Sequence, residues 1–170
     1  KWTYGGSTLT LYTKWEAKKC TLALDQTGAT KESTYKQKII AYDETVPSLN
    51  NGYVPSRDYY DFAGYWTSNG TDGDWGEMLL SSTLTWQEVT GYTAIVSSNL
   101  VWKRDGGATV YPKWTPTEYT YTFVQNGGSG ATDGTYTYES NAITLPTASE
   151  MSKTGYTFEG WYTEAEFTNR

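Results

Sequence analysis

The residues of this chain that could do chemistry are few and mostly acidic. Asp58 and Asp61 flank two tyrosines, Glu164 and Glu166 stand two apart, and NGTDGDWGE sets Asn69, Asp72, Asp74 and Glu77 among glycines. Two carboxylates in contrasting environments do general acid–base work, and oxygen donors spaced by glycine hold calcium. Neither chemistry is well served. Asp58 and Asp61 are three apart in an expected strand, so their side chains fall on opposite faces. Glu164 and Glu166 share a face, but they lie in a polar turn that reads as a solvated edge. The Asn–Asp run lacks EF-hand spacing and a bidentate acid at its end, and reads better as a turn. The chain contains no histidine, and Cys20 is its one cysteine. That removes the commonest general base and the usual zinc sets. The expectation is a protein that is not an enzyme, with no catalytic residue, no metal ligand and no cofactor.

Cys20 falls in an apolar strand pattern and reads as a small buried hydrophobe, not a reactive thiol. Nineteen acidic against thirteen basic residues give a net charge of −6. That balance argues against nucleic acid, whose phosphates are met by clustered Lys and Arg, and against acidic membrane surfaces. No apolar run is long enough to span a bilayer and no signal-peptide pattern opens the chain. Membrane insertion is not expected, and targeting segments of an exported protein would lie outside this sequence. Eight Trp and sixteen Tyr among 170 residues, with abundant Thr, suit half-buried strands.

The elements that must position these residues come in duplicate. TLYTKW at Thr10–Trp15 returns as TVYPKW at Thr109–Trp114, and CTLALDQTG at Cys20–Gly28 is answered at the same offset by YTYTFVQNG, Tyr119–Gly127. FAGYWT at Phe62–Thr67 returns as FEGWYT at Phe158–Thr163. Three matches in one order make a tandem repeat. Residues 1–16 read as the closing strand of a preceding repeat. Residues 17–115 form one unit, with an insertion at about 68–108, and residues 116–170 form a second unit lacking its closing strand.

Each unit is expected to begin with a strand, Cys20–Asp25 or Tyr119–Val124, followed by a glycine turn. A second strand follows over Tyr35–Tyr42 or Thr135–Glu139. Pro47 and Pro146 mark where a short helix or turn could begin, and a third strand carries Tyr65 and Trp66, or Trp161 and Tyr162. In the closing strand, period two puts Leu9, Leu11, Thr13 and Trp15 on one inward face.

GYTFEGWYTEAEF at Gly155–Phe167, the preceding SKT, the turn NGG at Asn126–Gly128 and the TLYxKW strands together resemble the Listeria-Bacteroides repeat, or internalin B-repeat. The first unit departs somewhat, with FAGYW for FxGWY and Asp25–Gly28 for NGG. The resemblance implies a mainly β, α+β fold of tandem β-grasp-like modules, each a small mixed sheet with one short helix. It also implies bacterial surface or secreted proteins in which such modules act as spacers and interaction surfaces, with no catalytic residues to carry over. Pro112 lies in a closing strand that the family places inside the sheet, so a bulge or early strand end is expected there. The insertion, with alternating runs at Thr83–Val89 and Tyr92–Val96, is expected to add a hairpin beside the module.

Leu11, Trp15, Phe62, Gly64, Trp66, Val110, Trp114, Phe158, Gly160 and Trp161 occupy repeat positions and are the expected core. Gly64 and Gly160 are expected where a side chain would collide with a helix or an adjacent Trp. Trp75, Trp86 and Trp102 lie in the insertion, where no repeat position explains them, and are candidates for a ligand or partner face. The functional expectation is a spacer and protein–protein adhesion segment, extracellular, on a bacterial surface or secreted. A carbohydrate-binding module using the insertion's Trp residues is the alternative. Its partner is therefore a protein or a glycan, with head-to-tail self-association through residues 7–15 a further possibility.

Overall fold

The structure, a computed structural model, describes residues 3–89 and 95–168. It divides into two compact units, one comprising Lys1–Arg57 and Phe62–Trp114 and the other Asp58–Asp61 and Thr115–Arg170. The fold is mainly β.

Five strands form the larger sheet: β1 (Lys19–Leu24), β2 (Gln37–Ala41), β3 (Tyr60–Trp66), β4 (Met78–Leu80) and β5 (Ala108–Pro116), in the order β2-β1-β5-β3-β4. β1 reads KCTLAL, and its alternation buries Cys20, Leu22 and Leu24 while Lys19 and Thr21 face solvent. β2 pairs antiparallel to β1, with Cys20 opposite Ile40. β5 pairs parallel to β1, with Leu22 opposite Ala108 and Leu24 opposite Val110. The closing strand therefore slides between β1 and β3.

β5 runs through Pro112 without the expected bulge or early end. The paired register with β1 stops at Val110, whose carbonyl accepts from the Asp25 amide at 2.8 Å. By strand alternation Pro112 faces that same side, past the end of the ladder, so its missing amide interrupts no β1 bond. Its ring is buried with Val110.

The insertion does not stand beside the module; it fills the core. Leu79, Leu80, Leu84, Trp86, Val89, Ile95, Val96 and Trp102 all join the buried cluster with Leu22, Leu24, Ile40, Tyr65 and Val110. Single bridges link Leu80 to Trp86, Val89 to Val96, and Val96 to Trp102. The expected run at Tyr92–Val96 lies partly outside the described residues. What remains joins by isolated bridges and not a regular hairpin. An irregular backbone tolerates this because its apolar side chains have a sheet face to cover.

Neither the stretch after Pro47 nor that after Pro146 forms an α-helix, and each makes a tight turn, the other form expected there. After Pro47, SLNNGY is rich in turn formers and gives one 3-10 turn, Asn51–Tyr53, started by the Asn50 side chain accepting from the Gly52 amide at 3.0 Å. After Pro146 the chain makes a turn closed by Thr147 and Glu150. The Glu150 carboxylate accepts from the Thr147 amide at 2.7 Å and from its hydroxyl at 2.8 Å. These bonds, the backbone one foremost, hold the Glu150 carboxyl below its ordinary range.

The second unit has a hairpin of β6 (Tyr119–Tyr121) and β7 (Gly134–Tyr136), antiparallel with Tyr119 opposite Tyr136. Trp161 and Tyr162, expected in a third strand, are not in one. In the first unit the matching strand is held on one side by β5 and on the other by β4. Among the described residues of the second unit neither neighbour has a counterpart. None of its side chains is fully buried.

Residues 3–18 form no strand either. Leu11 is 79% exposed and Trp15 87% exposed. Their expected place in the core is corrected here: an inward face exists only where a sheet receives it, and no strand pairs with this segment.

Candidate functional groove

The two units are built from matching parts. Gln26 follows β1, and its Oε1 accepts from the Ser33 amide at 2.8 Å while its Nε2 donates to the carbonyls of Leu24 and Asp25, each at 2.9 Å. Gln125 stands at the same repeat position. Its Oε1 accepts from the Ala131 amide at 3.1 Å and its Nε2 donates to the Ala131 carbonyl at 3.0 Å. Each glutamine thus braces the loop after its first strand. The glycines two residues on, Gly28 and Gly127, have φ of 80° and 81°, the left-handed conformation such a turn needs. A single antiparallel bridge follows in both, Lys31 with Ser56 and Ser129 with Ser152. Phe62 meets Tyr65 edge-on at 5.0 Å, and Phe158 meets Trp161 edge-on at 5.3 Å.

The difference lies between these parts. In the first unit β5 occupies the gap, where the Trp114 indole N–H donates to the Thr27 carbonyl at 3.0 Å and its ring stands edge-on to Phe62 at 5.8 Å. In the second unit the same gap is a groove of about 770 Å³, flanked by residues 122–126 on one side and 156–165 on the other. Phe123, Phe158 and Trp161 form its apolar floor, with Phe123 and Trp161 ring centroids 4.5 Å apart. Val124 is 76% exposed and Tyr156 72%. The Lys153 ammonium donates to the Asn126 carbonyl at 2.7 Å and sits 4.3 Å from the Tyr156 ring centroid. Asn126 occupies the repeat position of Thr27, so Lys153 stands where the first unit uses Trp114.

The other expected site residues fall as follows. Val110 is fully buried, Phe62 packs on the core, and Trp66 and Trp114 are half-buried. Gly64 has φ 102°, and a Cβ there would collide with the Leu80 carbonyl. The obstacle is the backbone of β4, not a helix or a Trp. Gly160 keeps a positive φ of 148° beside the groove. Trp86 and Trp102 are corrected: both are buried, and no ligand could reach their faces. Trp86 Nε1 donates to the Pro47 carbonyl at 2.8 Å and Trp102 Nε1 to the Arg104 carbonyl at 3.0 Å. Trp161 makes the same kind of bond in the second unit, to the carbonyl of Pro146 at 2.9 Å. Trp75 alone of the three is half-exposed, beside a shallow hollow of about 220 Å³ that includes Arg57, Asn69 and Tyr111. Lys113 Nζ lies 4.4 Å from the Trp66 ring centroid and 5.4 Å from that of Trp75.

The acidic run serves its own backbone. Asn69, Asp72 and Asp74 each accept from the amide two residues on, at 3.1, 3.1 and 2.7 Å. Among the described residues no three His, Cys, Asp or Glu side chains gather as metal ligands would. Cys20 is buried, with its Sγ 3.5 Å from the Arg104 carbonyl. Sequence reasoning passed over Gln26, Gln125 and Lys153. The glutamines carried a usable signal, the same residue at the same repeat position, and Lys153 stood within the SKT stretch of the family resemblance without any sign that it would reach Asn126.

Residues 119–170 match the family model of the Listeria-Bacteroides repeat domain. The second unit carries that repeat. The chain is also similar to two proteins of Evansella cellulosilytica with provisional names, a membrane protein and a Gly-rich membrane protein, each 27% identical. The first match covers 91% of this chain and 18% of that protein, the second 96% and 15%. The chain therefore spans under a fifth of either relative. No solved structure matches it. Among the described residues no helix is long and apolar enough to cross a membrane. The Listeria-Bacteroides repeat and these relatives agree with a surface-associated repeat protein.

Proposed function

We propose that the chain is a non-catalytic repeat segment of a bacterial cell-surface or secreted protein, acting as a spacer and a protein–protein interaction module. Its units are read as β-grasp-like modules, the first enlarged by its insertion. The observation that carries this reading is the duplicated architecture: the Gln26 and Gln125 braces, the Gly28 and Gly127 turns and the paired bridges recur at repeat positions. Repetition of a frame suits a protein that gains length by adding units. Antibodies raised against the chain should label intact, unpermeabilised cells, or capture the protein from culture medium. Signal found only after lysis would refute the location.

The glycan alternative is narrowed to Trp75, the one insertion Trp with an exposed face, beside Arg57 and Asn69. Saturable quenching of Trp fluorescence by a polysaccharide, abolished in Trp75→Ala, would favour that reading.

A further inference from the structure

We infer that the hollow beside Trp75 in the first unit takes one ring of an acidic polysaccharide, a hexuronate, with the sugar carboxylate on Arg57. This rests on the glycan reading of Trp75 given above and deepens it, and its test separates the two.

The hollow is small and its charge is one-sided. At about 220 Å³ it falls below the roughly 300–1,000 Å³ of pockets that enclose drug-sized ligands. It therefore admits a single ring of a longer chain. Arg57, Asn69, Trp75, Tyr111 and Trp114 face it, and among the described residues no acidic side chain lines it. Lys113, with its Nζ 5.4 Å from the Trp75 ring centroid, brings a second cation to the Trp75 side. In a chain of net charge −6 this local reversal points to an anionic ligand. All of these residues belong to the first unit.

The walls are set before any ligand arrives. Gly28, at φ 80°, has no side chain, and a Cβ there would stand 3.1 Å from Trp114 Nε1 and 3.5 Å from Arg57 Nη1. The bare turn thus lets the indole and the guanidinium approach one wall. The Trp114 N–H is committed to the Thr27 carbonyl, so that ring offers apolar surface only. Trp75 is fixed by its own loop. The Ser68 amide donates to the Trp75 carbonyl at 3.0 Å, and the indole lies so close over Gly70 that a Cβ there would clash with it. A ring held in this way loses little freedom on binding, and its apolar face suits the C–H face of a sugar. Asn69 Oδ1 accepts from the Thr71 amide at 3.1 Å, which leaves the Asn69 N–H groups to donate to a ring hydroxyl. Arg57 supplies the planar fork from which a carboxylate accepts two bonds.

Calorimetric titration of the full chain with trimers of galacturonate and of mannuronate, each beside its methyl ester, tests this. The esters keep the rings and lose the charge. At least one acid trimer should bind, with its ester at least about tenfold weaker. Raising the salt from about 0.05 to about 0.5 M should weaken the acid and leave the ester unchanged. Trp75→Ala and Arg57→Gln should each weaken the acid at least about tenfold, and Arg57→Gln should also remove the preference over the ester. Should Arg57→Gln fail to fold, the ester comparison on the parent chain still decides the matter. Acid and ester of equal affinity overturn the inference while leaving a glycan site at Trp75 standing. No binding of either acid up to about 10 mM, or binding that Trp75→Ala leaves unchanged, overturns it as well; the glycan reading then rests on the fluorescence titration with a neutral polysaccharide.

Discussion

The Trp114 indole N–H and the Thr27 carbonyl, 3.0 Å apart, close the turn after β1 onto the far end of β5. This bond ties the last strand of the first unit to its first loop. Trp114→Phe keeps a ring against Phe62 but leaves the carbonyl without its donor. The expected cost is about 1 kcal/mol, read as a lower urea midpoint with an unchanged slope.

Trp102 and Trp75 should separate sharply on truncation. Trp102 has no exposed surface and bonds the Arg104 carbonyl; replacing it with Ala should cost about 3 to 5 kcal/mol through the cavity left behind. Trp75 is half-exposed, and its Ala variant should lose under about 1 kcal/mol. Equal melting temperatures for the two variants would contradict the buried role given to the insertion.

Gly64 faces the β4 backbone at a φ of 102°. Gly64→Ala combines an unfavourable left-handed conformation with a collision against the Leu80 carbonyl, and neither can relax without parting β3 from β4. A loss of about 2 to 4 kcal/mol is expected. In hydrogen exchange the amides of Met78–Leu80 should lose protection before those of β1.

Tyr65 predicts the alkaline limb of stability. Its ring has no exposed surface and its hydroxyl donates to the Tyr53 carbonyl at 3.0 Å. Burial raises its phenol from 10.0 to about 12. The folded state therefore favours the protonated phenol. The resulting stability, on the order of 2 to 3 kcal/mol, is fully present below pH 10 and is lost as pH rises through about 12. Tyr65→Phe should be somewhat less stable at pH 7, having lost a bond, yet flatter between pH 10 and 12. A parent and variant with parallel pH profiles would refute the assignment.

What could be read from the sequence is what repeats or alternates. The three ordered matches gave the two units, and alternation in KCTLAL gave β1 with its buried face. The fate of the insertion was not legible, because Trp86 and Trp102 sit in short alternating runs that would suit a solvent-facing hairpin equally well. Burial there depends on which sheet face stands uncovered. Leu11 and Trp15 show the converse, since a strand pattern specifies which face would go inward and not whether a partner is present. The Lys153 bond to Asn126 brings together residues that no local pattern connects.

The order β2-β1-β5-β3-β4 also sets a timetable. β1 and β2 are neighbours in sequence and can pair early. About eighty residues separate Leu24 from Ala108, so β5 enters last, between two strands made long before it. During synthesis the facing edges of β1 and β3 stand open until residue 108 has left the ribosome, and the insertion lengthens that wait. The expected slow step of folding is accordingly the threading of β5 into the sheet.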